Sequence, residues 1–328
     1  MNLRYYITGI AFITAIVGCT KSFNLEPEET PPLYVIEGRV SNMRGPYYIR
    51  ITKSTNLLNI PNNSSAYGLD SAVPVKGALV VIADDMGVRD TLIPSTGTGA
   101  PRNFYYYRNG IIDSGMAPFY TPFYTNDRGY YETTKLTGQP GHHYHLTVLI
   151  GKNEFHASAY MPPVPTLDSA VIKETVVDQY GNKGYLPFVW FKEPETENNY
   201  YLFQYNNITH YLNDVINETN FSSMFFPFYV LDDKTMPAYV KGLGMRVIVS
   251  SQYRYGDNYP YSKPSEPKQV KLSSLTKEAY EYLNVQGKQF ENDGNIYKPV
   301  PVTPKGNISG NALGLFWATQ VSYKLVMP

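Results

Sequence analysis

Cysteine is almost missing from this chain: Cys19 is the only one in 328 residues, so no intramolecular disulfide can form and the fold must hold without cross-links. Charge of either sign is also scarce. Charged residues make up 17%, and 28 Lys and Arg balance 28 Asp and Glu, so there is no basic excess of the kind nucleic-acid binding requires. Beyond residue 20 no apolar run approaches the roughly 20 residues of a membrane-spanning helix. The sequence has no nucleophile elbow and no strongly marked pair of carboxylates. Lys241-Gly242-Leu243-Gly244 lacks the third glycine and the strand-to-helix context of a phosphate-cradling loop. Glu193 and Glu195 flank Pro194 in an expected turn and read as a solvated loop. A hydrolase of unrecognised type is the enzymatic alternative, since two catalytic carboxylates can come from distant parts of a sequence.

What is present begins with an export signal. Arg4 supplies a positive n-region, Ile7 to Val17 an apolar core too short to span a bilayer, and the segment ends at small residues. Residues 1–18 therefore read as a cleaved signal peptide. Ile16-Val17-Gly18-Cys19 resembles the lipobox of bacterial lipoproteins, in which the cysteine is acylated (with diacylglyceryl and palmitate-type chains) and becomes the new N-terminus. Each buried methylene is worth about 0.8 kcal/mol, so several chains hold a protein on a bilayer essentially permanently. Thr20 after the cysteine resembles the sorting pattern for the outer membrane. Glu26, Glu28 and Glu29 are similar to export signals that take lipoproteins to the cell surface, and equally fit a solvated linker. Residues 19–32 would form a flexible tether reaching at most about 45 Å.

The remaining chain is rich in aromatics, 15%, with 31 Tyr against 2 Trp, a bias suited to strands with amphipathic faces. Leu33–Val40, Tyr47–Thr52 and Ala78–Ala83 alternate as strands. Tyr144–Ile150 and Glu154–Tyr160 flank Gly151-Lys152-Asn153 as a hairpin. Asp168–Val177, Gly184–Phe191 and Asn199–Tyr205 open a second set, with Trp190 expected in the core, and Leu313–Trp317 and Gln320–Val326 close the chain. The only clear helix start is Ser274, giving a helix over about 274–290. The pattern predicts a mainly β protein of two β-sandwich domains, immunoglobulin-like or fibronectin-like, with one short helix in the C-terminal domain. The first would span 33–160 with an aromatic-rich insertion at about 102–131; the Pro-rich 161–166 would link it to the second, 167–328.

Candidate binding residues concentrate in two places. Gly141-His142-His143-Tyr144-His145 and His156 gather four of the five histidines near one hairpin, with His156 diagonal to His145 in the simplest register. A polar strand edge needs no metal, and no carboxylate or cysteine pattern accompanies them, so no metal or other cofactor is assigned. The second place is the insertion, where Tyr105, Tyr106, Tyr107, Phe119, Tyr120, Phe123 and Tyr124 lie among Gly and Pro that should break regular strands into a long loop. Clusters at 221–229 and 253–261 follow. These rings either fill sandwich edges or offer a surface to a partner protein, an oligosaccharide or a peptide. Asp70-Ser71-Ala72, Asp90-Thr91-Leu92 and Asp168-Ser169-Ala170 resemble an acceptor pattern for periplasmic O-glycosylation.

Taken in order, the lipobox, the acidic linker and the Leu33-Tyr34-Val35-Ile36-Glu37-Gly38 strand are followed by Val75–Val80, Gly138-Gln139-Pro140-Gly141 and Met161-Pro162-Pro163-Val164-Pro165. Leu272–Leu283 and Asn307–Phe316 complete the pattern. This order resembles the outer-membrane lipoproteins grouped as domain of unknown function 4249, whose genes often neighbour TonB-dependent receptors. The resemblance implies a lipid-anchored, non-enzymatic accessory protein partnered by such a receptor, and it supplies no catalytic or binding residues to carry over.

Overall fold

In β-strands, alternate residues face opposite sides, and that rule organises most of this chain. The computed structural model describes residues 31–54, 72–108, 111–176, 181, 183–194, 198–207, 212–213, 229–245, 263, 268–290 and 302–327. Cys19, residues 1–30 and most of the 221–229 and 253–261 clusters lie outside them. The strands are β1 (Tyr34–Ser41), β2 (Tyr48–Lys53), β3 (Val73–Pro74), β4 (Leu79–Asp84), β5 (Arg89–Thr91) and β6 (Ile93–Pro94). They continue with β7 (Thr96–Arg108), β8 (Ile111–Thr125), β9 (Tyr130–Glu132), β10 (His143–Ile150), β11 (Asn153–Tyr160), β12 (Leu167–Val176) and β13 (Lys183–Lys192). The last are β14 (Tyr200–Asn207), β15 (Leu212–Asn213), β16 (Tyr229–Asp232), β17 (Tyr239–Gly244), β18 (Lys268–Leu275), β19 (Phe316–Thr319) and β20 (Val321–Val326). The described helix α1 (Lys277–Phe290) falls between β18 and β19. The protein is thus mainly β, built of several open sheets, with one α-helix among the described residues.

The first sheet has the order β19-β1-β2-β9-β6, with β3 also on β2, and a second has the order β11-β10-β4-β5. Ile36, Val40, Ile49 and Ile51 from the first meet Val80, Ile82, Leu146, Val148 and Phe155 from the second in one buried cluster. The sheet β12-β13-β17 and the sheet β16-β14-β18-β20 fill another, with Leu167, Val189 and Phe191 against Phe203, Val270 and Leu272. On the far side of β14 and β18, Leu202 and Leu275 pack with Ala279 and Leu283 of α1.

The C-terminal segment does not stay with its sequence neighbours. β19 pairs in parallel with β1, matching Gly38 with Phe316 and Val40 with Ala318, and Phe316 is fully buried in the first cluster. Gly314 makes this possible: its φ of +108° suits glycine, and a Cβ there would collide with the Ile36 carbonyl. The Pro-rich 161–166 is seated rather than free. Met161 is fully buried, its N–H donating to His142 O at 3.0 Å, and Val164 N–H donates to Gln320 Oε1 at 2.8 Å.

Several expectations shift in detail. The aromatic insertion is a strand pair, β7 with β8, instead of a loop broken by Gly and Pro. β8 is an edge strand, where alternate N–H groups need no partner and proline is tolerated, and register shifts near Gly99–Arg102 absorb Pro101. The helix starts three residues later than Ser274, which ends up in β18 donating its hydroxyl to Pro162 O at 2.6 Å. Trp190 is outside the core. In β13 Val189 and Phe191 face inward, which sends Phe188 and Trp190 to the opposite face.

Candidate functional site

The paired strands β7 and β8 lie between β6 and β9 in the chain. Their root is defined by Ser95 and Asn126: Ser95 N–H donates to Tyr130 O (3.0 Å), Asn126 N–H to Ser95 O (2.7 Å), and Ser95 Oγ–H to Glu132 Oε2 (2.6 Å). A single 3₁₀ turn, Asn126–Arg128, closes on left-handed Gly129 and returns the chain into β9. At the root Tyr124 stacks 4.7 Å from Tyr48 and 4.9 Å from Tyr130, ring centre to ring centre.

Below these rings lies the outward face of the first sheet. One cross-strand row runs Glu37, Arg50, Tyr130, with Tyr48 opposite Glu132 and Arg39 opposite Trp317. The Arg50 guanidinium sits 5.5 Å from the Tyr130 ring centre, donates through Nε to Arg128 O at 3.3 Å and lies 4.0 Å from Glu37. Arg39 lies 5.3 Å over Trp317. Burial pushes the Tyr130 phenol up, with Arg50 opposing. Burial and the nearby Glu37 push Tyr282 of α1 up to about 12. These phenols therefore stay neutral at physiological pH.

The ribbon's register distributes the sequence-predicted residues. Positions 105, 106 and 107 pair with Ser114, Asp113 and Ile112, whereas Phe119 and Tyr120 pair with Gly99 and Thr98. At about 3.3 Å per residue, the two groups are roughly 20 Å apart along the ribbon. Pleating also places position 106 on the face opposite 105 and 107. β15 adds to the β7 edge, Leu212 with Tyr105 and Asn213 with Phe104. Phe123 is in β8, and Tyr124 joins the stacked cluster at the root. Sequence reading missed Tyr48, Arg50 and Glu37, because only strand pairing sets them in one patch with Tyr130 and Tyr124.

His145 stands opposite Ser158 and His156 opposite Thr147, so the diagonal arrangement holds. Each imidazole has a local partner: His142 Nδ1 is 2.8 Å from Asp85, His145 Nδ1 2.9 Å from Ser158 Oγ and His156 Nε2 3.2 Å from Glu154, while the His143 ring lies 4.8 Å from that of Tyr160. Among the described residues no three His, Cys, Asp or Glu groups converge to hold a metal ion. Of the glycosylation-like sites, Thr91 and Ser169 are exposed and Ser71 lies outside the described residues. Glu193, expected in a solvated loop, is 3% exposed. Its Oε1 accepts from Tyr201 (2.8 Å) and Asn199 Nδ2 (3.1 Å), and its Oε2 is bare.

A family model described as a domain of unknown function, DUF4249, matches residues 20–324. No curated protein and no solved structure matches the chain.

Proposed function

The chain belongs to the DUF4249 family, and from that membership we propose that it is a lipid-anchored accessory protein of the outer membrane that associates with a TonB-dependent receptor and assists capture or uptake of a ligand, without catalysing a reaction. Cys19 is the anchor in this reading, and no described helix is long and apolar enough to cross a membrane. The observation that carries the partnership is the ribbon at 96–125. It is a long, aromatic-rich strand pair in which β8 is an edge strand among the described residues, braced at its root by Tyr48, Tyr124 and Tyr130. Open strand edges and tyrosines are the usual materials of protein recognition. We read the two clusters, each filled from two sheets, as the cores of two sandwich domains that present the ribbon above the membrane.

The test is co-purification of the tagged full-length protein from gently solubilised membranes. The receptor should be recovered with the native chain and lost when residues 99–119 are replaced by a short Gly-rich turn. Recovery of the native protein alone would sink the partnership. A Cys19→Ser chain should appear in the soluble fraction, and its retention on the membrane would remove the anchor from the argument.

A further inference from the structure

The sheet β12-β13-β17 turns one face to its core and leaves the other facing outward, and that outer face has an unusual composition. Phe188 and Trp190, adjacent on one side of β13, pair with Gly244 and Lys241 of β17. Between those two pairs the register shifts, and Gly242 sits at the irregularity with φ +67°. A Cβ on Gly242 would come 3.1 Å from the indole, and one on Gly244 would come 3.0 Å from the Phe188 ring. The two rings therefore lie down on bare β17 backbone, and together they make a flat apolar strip that larger residues at 242 and 244 would prevent.

Three ammonium groups surround this strip. Lys173 Nζ is 5.2 Å from the indole centre and 6.0 Å from the Phe188 ring. Lys241 is the cross-strand partner of Trp190, and Lys192 lies two pairs further along, opposite Tyr239; all three lysines are exposed. Among the described residues none of the three is ion-paired: Glu174 of the same sheet is taken by Lys183, and Asp168 is bonded to the Tyr239 hydroxyl. The face is thus flat, apolar and locally cationic on a chain with no net charge.

We propose that the outer face of the β12-β13-β17 sheet binds an oligosaccharide bearing uronate carboxylates, with sugar rings stacked on Trp190 and Phe188 and carboxylates held by Lys173, Lys192 and Lys241. A pyranose presents a face of C–H groups that matches an aromatic plane, and a uronate adds one anion per ring, which suits a few separated lysines. A polynucleotide needs a denser and longer basic track than three lysines on a neutral chain provide. This site is independent of Cys19 and of the ribbon, so it stands or falls apart from the receptor partnership.

The experiment is calorimetric titration of the full folded chain, in detergent where lipidated, with an oligogalacturonate of about six residues. Neutral oligosaccharide of the same length and single-stranded oligonucleotide serve as comparisons. Binding of the uronate is expected, about tenfold weaker to the neutral sugar and falling with salt. Trp190→Ala should weaken it at least about tenfold, Trp190→Phe should largely retain it, and Lys192→Gln with Lys241→Gln should weaken it several-fold. The lysine pair is exposed, so that double variant keeps the test decisive should Trp190→Ala fail to fold. No uronate binding at millimolar concentration, unchanged affinity in the lysine double variant, or equal affinity for the oligonucleotide would each overturn the proposal.

Discussion

Asp90 and Glu193 are both buried carboxylates, and their surroundings push them in opposite directions. Asp90 is fully buried; that alone would raise its pKa, but donations from the backbone N–H groups of Thr134, Lys135 and Leu136 and from the Thr134 hydroxyl, at 2.7–2.9 Å, outweigh it and hold the carboxyl below its ordinary value. A depressed folded-state value means stability present above the unfolded value and lost as pH falls through the folded one. Asp90→Ala, which strands three backbone donors, should cost about 3 kcal/mol at pH 7 by urea denaturation, and the gap to the native chain should narrow below about pH 4. Glu193 is the reverse: burial raises it above 4.5, Tyr201 and Asn199 lower it in part, and Asp233 raises it again. The stability tied to its proton is complete below the unfolded value and is lost as pH rises through the folded one. Glu193→Gln should therefore melt higher than the native chain at pH 8, with the difference vanishing near pH 4. An equal difference at both pH values would contradict this assignment.

At the scale of single elements, local chemistry fixes where α1 begins. Thr276 ends β18 and caps the helix, its Oγ1 accepting from Ala279 N–H at 3.3 Å and its carbonyl from Tyr280 N–H at 2.9 Å. Ser274, which by sequence alone is an equally good cap, is already committed to Pro162 and Gln320. Thr276→Ala should cost about 1 kcal/mol, read from the midpoint of chemical denaturation, and Thr276→Ser should restore most of it. The ribbon follows a different logic. Its sequence contains strand breakers, but an edge strand with register shifts has room for them, so β pairing survives where a central strand would fail.

Over the whole molecule the decisive feature is the return of the chain. Residues 316–319 complete the first sheet beside β1, while β20 immediately after them pairs with β18 in another sheet. The turn between is tied by Thr319 Oγ1–H to Ser274 O (2.7 Å), Gln320 N–H to Ser274 Oγ (3.0 Å) and Val321 N–H to Asn42 Oδ1 (2.7 Å). Residues Pro32–Pro328 accordingly form one compact unit. Phe316→Ala should cost about 3–5 kcal/mol, and the loss should reach beyond the cluster that houses the ring. Hydrogen exchange should show reduced protection in both β1 and β18; protection lost in β1 alone would mean that the two sheets unfold independently.

By itself the sequence determined the regularly alternating strands, the hairpin at 151–152 and the presence of the helix, because each depends on residues close together in the chain, and it determined the family through the order of its motifs. Which apolar set of Phe188-Val189-Trp190-Phe191 turns inward could not be read from it, since both faces of that strand are apolar and only the opposing sheet chooses between them. The burial of Glu193, the row Glu37-Arg50-Tyr130 beneath Tyr124, and the pairing of β19 with β1 likewise arose only in the tertiary structure. Each joins residues far apart in the chain, and long-range pairing is settled by which surfaces can be buried together, a property no local pattern carries.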